Sequence, residues 1–469
     1  MTPKAFGSNR FKLEVDGTPI FVHKFKDIHY AHFPRPENPN AQITVQARRP
    51  FQTVEISPQA AQIILHSDLE AATTKFALPA AGKLVLTLDG KERLFLFMED
   101  ASLDAVPESA ADSLINVLTF GADASGQTLS TRAIQNAIDS APAGAVVILP
   151  PGHYVSGSVH LKSGITLLLQ TGALLQASPA PQQFEPEQYA FIVVDHCDGV
   201  TIKGGGTIDG SGAFLRNLTA ESGRLLAIRD SHNVRVEGVI LRDPRAWNTH
   251  VIRAEHVTFQ NVKLLNDRHV SNTDGIDPDS SSHVLIEGSF FYCGDDAVAI
   301  KSTNIDGRFK DVSDITVRHN IILTHKSALK VGTETHAAEM RNITFAHNEV
   351  IECDRGMSIY ARDGTHVHSV KFIGNNFETP YRDYEQKLLV FEVKKRNGLS
   401  RISDILIQDT TVHTRWPKPS TMRGLMKGYG ISNIRFVNYR YNGIVCTSPA
   451  DADLNLGRLV EGVTFDPAP

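Results

Sequence analysis

Asn233-Val234-Arg235-Val236, His256-Val257-Thr258-Phe259, His283-Val284-Leu285-Ile286, Asp314-Ile315-Thr316-Val317 and Asn342-Ile343-Thr344-Phe345 repeat one pattern, and that repetition decides the fold. It begins at Gly199-Val200-Thr201-Ile202 and continues through Ser369-Val370-Lys371-Phe372, Asp404-Ile405-Leu406-Ile407 and Asn433-Ile434-Arg435-Phe436. Starts are separated by 23 (233 to 256) to 35 (369 to 404) residues. Within a copy apolar and polar residues alternate, as on a half-buried strand. The polar residue leading most copies suits a bend, and Gly or Asn often follows, as in Glu287-Gly288 and His319-Asn320. A period of this length signals a repeat architecture. The pattern is neither the Leu-x-x-Leu of leucine-rich repeats nor a helical period, and a sandwich or propeller would need the regularity to be accidental. Strand-only coils of this length predict an all-β chain wound as a parallel β-helix.

The solenoid is expected over 116–469. Its open end needs a cover, since unpaired edges invite other chains. Thr131-Arg132-Ala133-Ile134-Gln135-Asn136-Ala137-Ile138, with Ala133, Ile134 and Ile138 on one face, predicts a capping helix, and Ala145–Leu149 a strand after it. Residues 1–106 read as a small β-sandwich. Its clearest element is Lys83–Leu88, Asp89-Gly90, Arg93–Phe97, an Asp-Gly turn between apolar runs and so a hairpin. The polar, Ala-rich stretch 107–115 reads as a linker. At 469 residues one ordinary core is exceeded, but a solenoid grows by stacking coils.

Composition narrows the function classes. Apolar residues make up 41% and the formal charge is −5, which opposes disorder and a nucleic-acid footprint. No stretch is long and apolar enough to span a bilayer. Cys197, Cys293, Cys353 and Cys446 fit no zinc spacing and no dense disulfide framework, and read as small buried residues. The first residues lack the apolar core of a signal peptide, so the chain as written reads as cytoplasmic, or as secreted or periplasmic with a leader removed. No cofactor and no metal is expected.

The densest polar cluster is Asn272-Thr273-Asp274-Gly275-Ile276-Asp277-Pro278-Asp279, followed by Gly294-Asp295-Asp296-Ala297-Val298-Ala299-Ile300-Lys301-Ser302. Asp274 and Asp295 are 21 residues apart, close to one coil, and adjacent coils stack about 4.8 Å apart. The two segments are thus expected side by side, with three carboxyls together. Glycoside hydrolysis needs one protonated carboxyl for the leaving oxygen and one ionised carboxyl for water or carbon. Crowding drives their proton affinities apart. A calcium site or a structural turn ladder would use the same residue types.

These two segments resemble glycoside hydrolase family 28, the polygalacturonases, and Gly206-Thr207-Ile208-Asp209-Gly210 and Trp247-Asn248-Thr249-His250 agree. The likeness runs from about 116 to beyond 360. It implies a right-handed, pectin lyase-like β-helix and hydrolysis with inversion. It also implies Asp295 as general acid, with Asp274 and Asp296 holding and activating water, and carboxyls roughly 6.5–9.5 Å apart. The family's Gly-His-Gly is replaced by His325-Lys326-Ser327-Ala328, so the histidine position falls on Lys326 or Ser327 and His325 is a possible substitute. The family's Arg-Ile-Lys becomes Ser358-Ile359-Tyr360. Losing that cationic grip favours a neutral or atypical sugar, for which Tyr360 offers an aromatic face; Lys326, Lys330 or Arg362 could restore charge.

Trp247, His250, Lys301, His325, Lys326, Glu334, Tyr360 and Arg362 are the expected substrate-side residues. For Trp247 and His250 the alternatives are corner packing and a loop hydrogen bond; for Lys301 and Glu334, solvated charges; for Arg362, an ion pair with Asp363. Asp277 and Asp279 are expected to stiffen the turn carrying Asp274. A β-sandwich preceding the helix is also similar to the dextranase family, and suggests exo action. The rival readings are a non-catalytic carbohydrate-binding β-helix, and a lyase or epimerase, whose lyase form would leave an unsaturated product.

Overall fold

A computed structural model of the protein describes residues 7–78, 82–99, 102–106, 113–180, 190–216, 223–381 and 384–467. The chain divides into two compact units, Met1–Ala105 and Val106–Pro469. Residues 107–112 of the expected linker lie outside the described residues. The rest of it is not linker, because Leu114–Asn116 is already a strand, paired in parallel with Val146–Leu149.

The first unit holds two five-stranded sheets. Lys83–Leu88 and Glu92–Glu99 pair antiparallel across the Asp89-Gly90 turn, both of whose residues have positive φ, 51° and 64°. Phe11, Leu13, Ile43, Val45 and Phe76 of one sheet share a core with Ala31, Phe33, Leu84 and Leu94 of the other.

The second unit is a right-handed parallel β-helix of three sheets, with 13, 13 and 11 strands. All nine copies of the repeat fall in one 13-stranded sheet, running from Leu114–Asn116 to Val460–Asp466. The lead residue of each copy has a left-handed backbone, with φ between 53° and 68°. Pairing passes from His232↔Glu255 to Val234↔Val257, so Asn233 and His256 drop out of the ladder and bend their strands. Gly, Asn and Asp tolerate that conformation best, which explains the recurring choice at this corner. Behind the bend, Val234, Val257, Val284, Ile315, Ile343, Val370, Ile405 and Ile434 form a buried apolar column. At the next corner Asn320, Asn348 and Asn375 make a buried ladder, each amide Nδ2 donating to the following Oδ1 at 2.9 Å or to a strand carbonyl.

Helix Thr131–Ser140 packs on the end of the solenoid through Ile134, Ala137 and Ile138; Ala137, rather than the expected Ala133, completes the buried stripe. All four cysteines are buried and free.

Candidate active site

Three successive coils build the site. Ile276–Asp279, Val298–Ser302 and Ser327–Thr335 are neighbouring strands of the 11-stranded sheet, with Ile276 level with Val298 and Val298 with Leu329. Two residues upstream, that register brings Asp274, Asp296 and Ser327 into one column. Backbone bonds from Gly275 N to the Asp296 carbonyl (2.9 Å) and from Ala297 N to the Ser327 carbonyl (2.8 Å) hold it. The glycines beside the aspartates are required by close approach: a Cβ on Gly275 would lie 2.3 Å from the Ala297 carbonyl, and one on Gly294 2.3 Å from that of Val270. Below the turn, Asn266 Nδ2 donates to the Thr273 carbonyl (2.8 Å), and Asn248 Nδ2 to Asn266 Oδ1 (2.8 Å).

Asp274, Asp295 and Asp296 each contribute an oxygen to a cluster in which all three lie within 4.8 Å of one another. That is closer than the roughly 6.5–9.5 Å expected between inverting carboxyls. Adjacency in the chain sets the Asp295–Asp296 separation, and coil stacking sets that of Asp274 from Asp296. Their environments differ. Asp295 is half-buried; burial and the Asp296 charge raise its proton affinity, although Asn272 N and Asp296 N both donate to it at 3.0 Å. Asp274 is raised well above the usual carboxylate range by burial, with Lys301 opposing. Asp296 is buried too, yet Lys330 and Arg355 hold it well below that range. Lys330 Nζ donates to its Oδ2 at 2.5 Å, and Ser327 N to its Oδ1 at 2.9 Å.

Lys301 is no solvated charge. It is buried, donates to Asp274 Oδ2 at 3.2 Å and to Asp277 Oδ2 at 3.3 Å, and lies 3.4 Å from the centroid of Trp247. Asp277, pushed up to about 7 by burial, and Asp279 are strand residues rather than turn stiffeners. Asp279 accepts from Thr303 N (2.7 Å) and pairs with His250 Nε2 (3.0 Å). His250, 1% exposed and lowered to about 4 by burial, therefore cannot line an open cleft. Trp247, half-buried, carries two of the protein's own cations over its ring, Lys301 and, 4.3 Å from the centroid, Arg224.

The later coils correct further expectations. Ser327, not His325 or Lys326, is level with Asp296; the His325 ring stacks on Tyr381 at 3.9 Å, and Lys326 stands 5.8 Å from the Tyr384 ring centroid. Tyr360 is 6% exposed, with Lys330 and Arg362 over its ring, so it offers no open aromatic face. Arg362 pairs with Glu392 (3.2 Å), while Asp363 pairs with Arg396 (2.5 Å), because the long strand Lys387–Gly398 brings both partners alongside. Glu334 is drawn to the same Arg396, at 3.5 Å. Arg355 was missing from the sequence reading. Its Nε donates to Ser327 Oγ (2.9 Å), and its guanidinium lies 3.8 Å from Asp296 and 3.4 Å from Asp354. No motif marks it, since only register puts it two coils from Asp296.

Among the described residues, Asp195, His196 and Asp230 form the other cluster with metal-ligand spacing, but Arg229 and Arg253 already neutralise its carboxylates.

A parallel β-helix with clustered carboxyls on its wall defines a class of polysaccharide-processing proteins, and residues 143–379 match the family model described as glycosyl hydrolases family 28. The chain belongs to that family and is a glycoside hydrolase. It is 32% identical to an endo-polygalacturonase of Pectobacterium carotovorum subsp. carotovorum, over 54% of this chain and 70% of that one. It is 29% identical to a probable polygalacturonase of Vitis vinifera, where the match spans 45% of this chain and about half, 48%, of the relative. In fold it is similar to an exopolygalacturonase from Thermotoga maritima (TM-score 0.63, 21% identity, 77% of this chain and 93% of that one). A family 28 exopolygalacturonase of Yersinia enterocolitica aligns over 100% of this chain and 96% of its own (TM-score 0.60, 16% identity). Dex49A from Penicillium minioluteum aligns over 98% and 94% (TM-score 0.57, 11% identity).

Proposed function

We propose that this hydrolase cleaves a pectin-related polysaccharide or its oligosaccharides with inversion, at a linkage whose cleavage subsite holds a neutral or atypical sugar. Asp295 is the general acid: it is the most accessible of the three, and burial raises its proton affinity. Asp296, held ionised, is the base. Asp274 shares a water with Asp296 and orients it toward the anomeric carbon. The observation that carries the assignment is the contrast between half-buried Asp295 and its buried neighbour Asp296, which Lys330 grips at 2.5 Å; their proton affinities move apart accordingly.

The substrate preference rests on charge. A uronate wants an uncommitted cation, ideally a guanidinium fork. The family's Arg and Lys positions are Ser358 and Tyr360, and Lys301, Lys330, Arg355, Arg362 and Arg396 each face an acid of this chain. The names of the relatives make polygalacturonate the natural competitor.

The test is a panel of neutral and uronic polysaccharides, with wild type and Asp295→Asn compared by release of reducing ends. Activity on a neutral or mixed glycan, reduced at least about 100-fold in the variant, is expected. Equal rates in the two proteins would remove Asp295 from its role, and a preference for plain polygalacturonate would overturn the substrate reading.

A further inference from the structure

We infer that Lys330, steadied by Arg355, is a positioning residue that holds the base Asp296, taking over at this site the polar role left by the absent histidine. This rests on the assignment of Asp296 above. Geometry carries it. Lys330 lies on the strand next to that of Lys301, its Nζ is 2.5 Å from Asp296 Oδ2, and its side chain is only 10% exposed. Ser327, the residue level with Asp296, gives its backbone amide to Oδ1, and its hydroxyl accepts from Arg355 Nε at 2.9 Å. Both carboxylate oxygens are thereby fixed by donors from the following coils, leaving the side toward Asp274 for water.

The charged groups around Asp296 are Lys330, Arg355 and Lys301 on one side of the balance, and Asp274, Asp277 and Asp295 on the other. Without Lys330 the buried Asp296 carboxylate loses its nearest counter-charge while its burial remains, so Asp296 binds its proton more tightly and water is activated only at higher pH. Lys330 never meets the reacting atoms. Asp296 takes one of the Lys330 ammonium donors, and a clamp on a substrate carboxylate would instead show as a loss confined to KM for a uronate.

The experiment compares kcat/KM against pH for wild type, Lys330→Met, Lys330→Arg and Asp296→Asn, on whichever substrate the panel selects, with far-ultraviolet dichroism to verify folding. Asp296→Asn should be inactive at every pH. Lys330→Met should lower kcat by about tenfold or more and move the acidic limb upward by about one pH unit or more, with Lys330→Arg restoring most of both. Activity in Asp296→Asn would sink the assignment of the base, whatever Lys330 does. If Asp296→Asn is inactive but folded Lys330→Met keeps the wild-type pH profile, or loses only KM for a uronate, the inference fails while the base assignment stands.

Discussion

Asp277 is the residue whose burial has the clearest thermodynamic consequence. Its carboxyl keeps a proton to about pH 7 in the folded protein, against an ordinary value of 3.8. Folding therefore binds a proton that the unfolded chain releases, and stability declines as pH rises from about 4 to 7. Asp277→Asn should remove that part of the decline, so the melting temperature of the variant should fall less across this window. An identical slope in both proteins would show that Asp277 titrates normally. Asp363 works in the opposite direction: Arg396 and Thr335, against burial, depress it to about 2, so its contribution is present above about pH 4 and disappears toward pH 2. The lesson of residues such as Lys301 and Lys330 is that cations deep in this wall serve the protein's own carboxylates first.

At the scale of elements, the corner ladder is the sharpest test of how coils stay in register. The side chain of Asn348 accepts from Asn320 N and Nδ2 and donates to the Val317 carbonyl and to Asn375 Oδ1. Truncating it strands buried donors and acceptors on both neighbouring coils. Asn348→Ala should cost about 2–4 kcal/mol, read from urea unfolding, since each stranded group carries a penalty of about 1–3 kcal/mol. A loss within about 0.5 kcal/mol would mean that the ladder is ornamental to stability. The nine left-handed corners explain why the repeat is visible at all: the backbone there restricts the lead residue, so the same few residue types recur.

The whole β-helix depends on covering its end. Ile134 is fully buried in the apolar core between the capping helix and the first coils. Ile134→Asp should destabilise the protein by several kcal/mol and expose strand edges, so size-exclusion chromatography should reveal larger species. A monomeric variant with unchanged melting temperature would show that the helix is not a cap. The same stacking logic places function: each coil adds one residue to each column, so a site is assembled across coils.

Sequence alone determined the solenoid, because period, alternation and bend residues are local properties that one strand and one corner impose on every coil. It also determined the meeting of Asp274 with Asp295 and Asp296, since their separation is nearly one turn of the winding. Only the tertiary structure decided who surrounds them. Lys330 and Arg355 reach Asp296 from one and two coils away, His250 turns inward to Asp279, and Arg362 finds Glu392 rather than its neighbour Asp363. Such pairings follow from register and from the length of each turn, and the irregular loops between the repeats set both without a periodic signal.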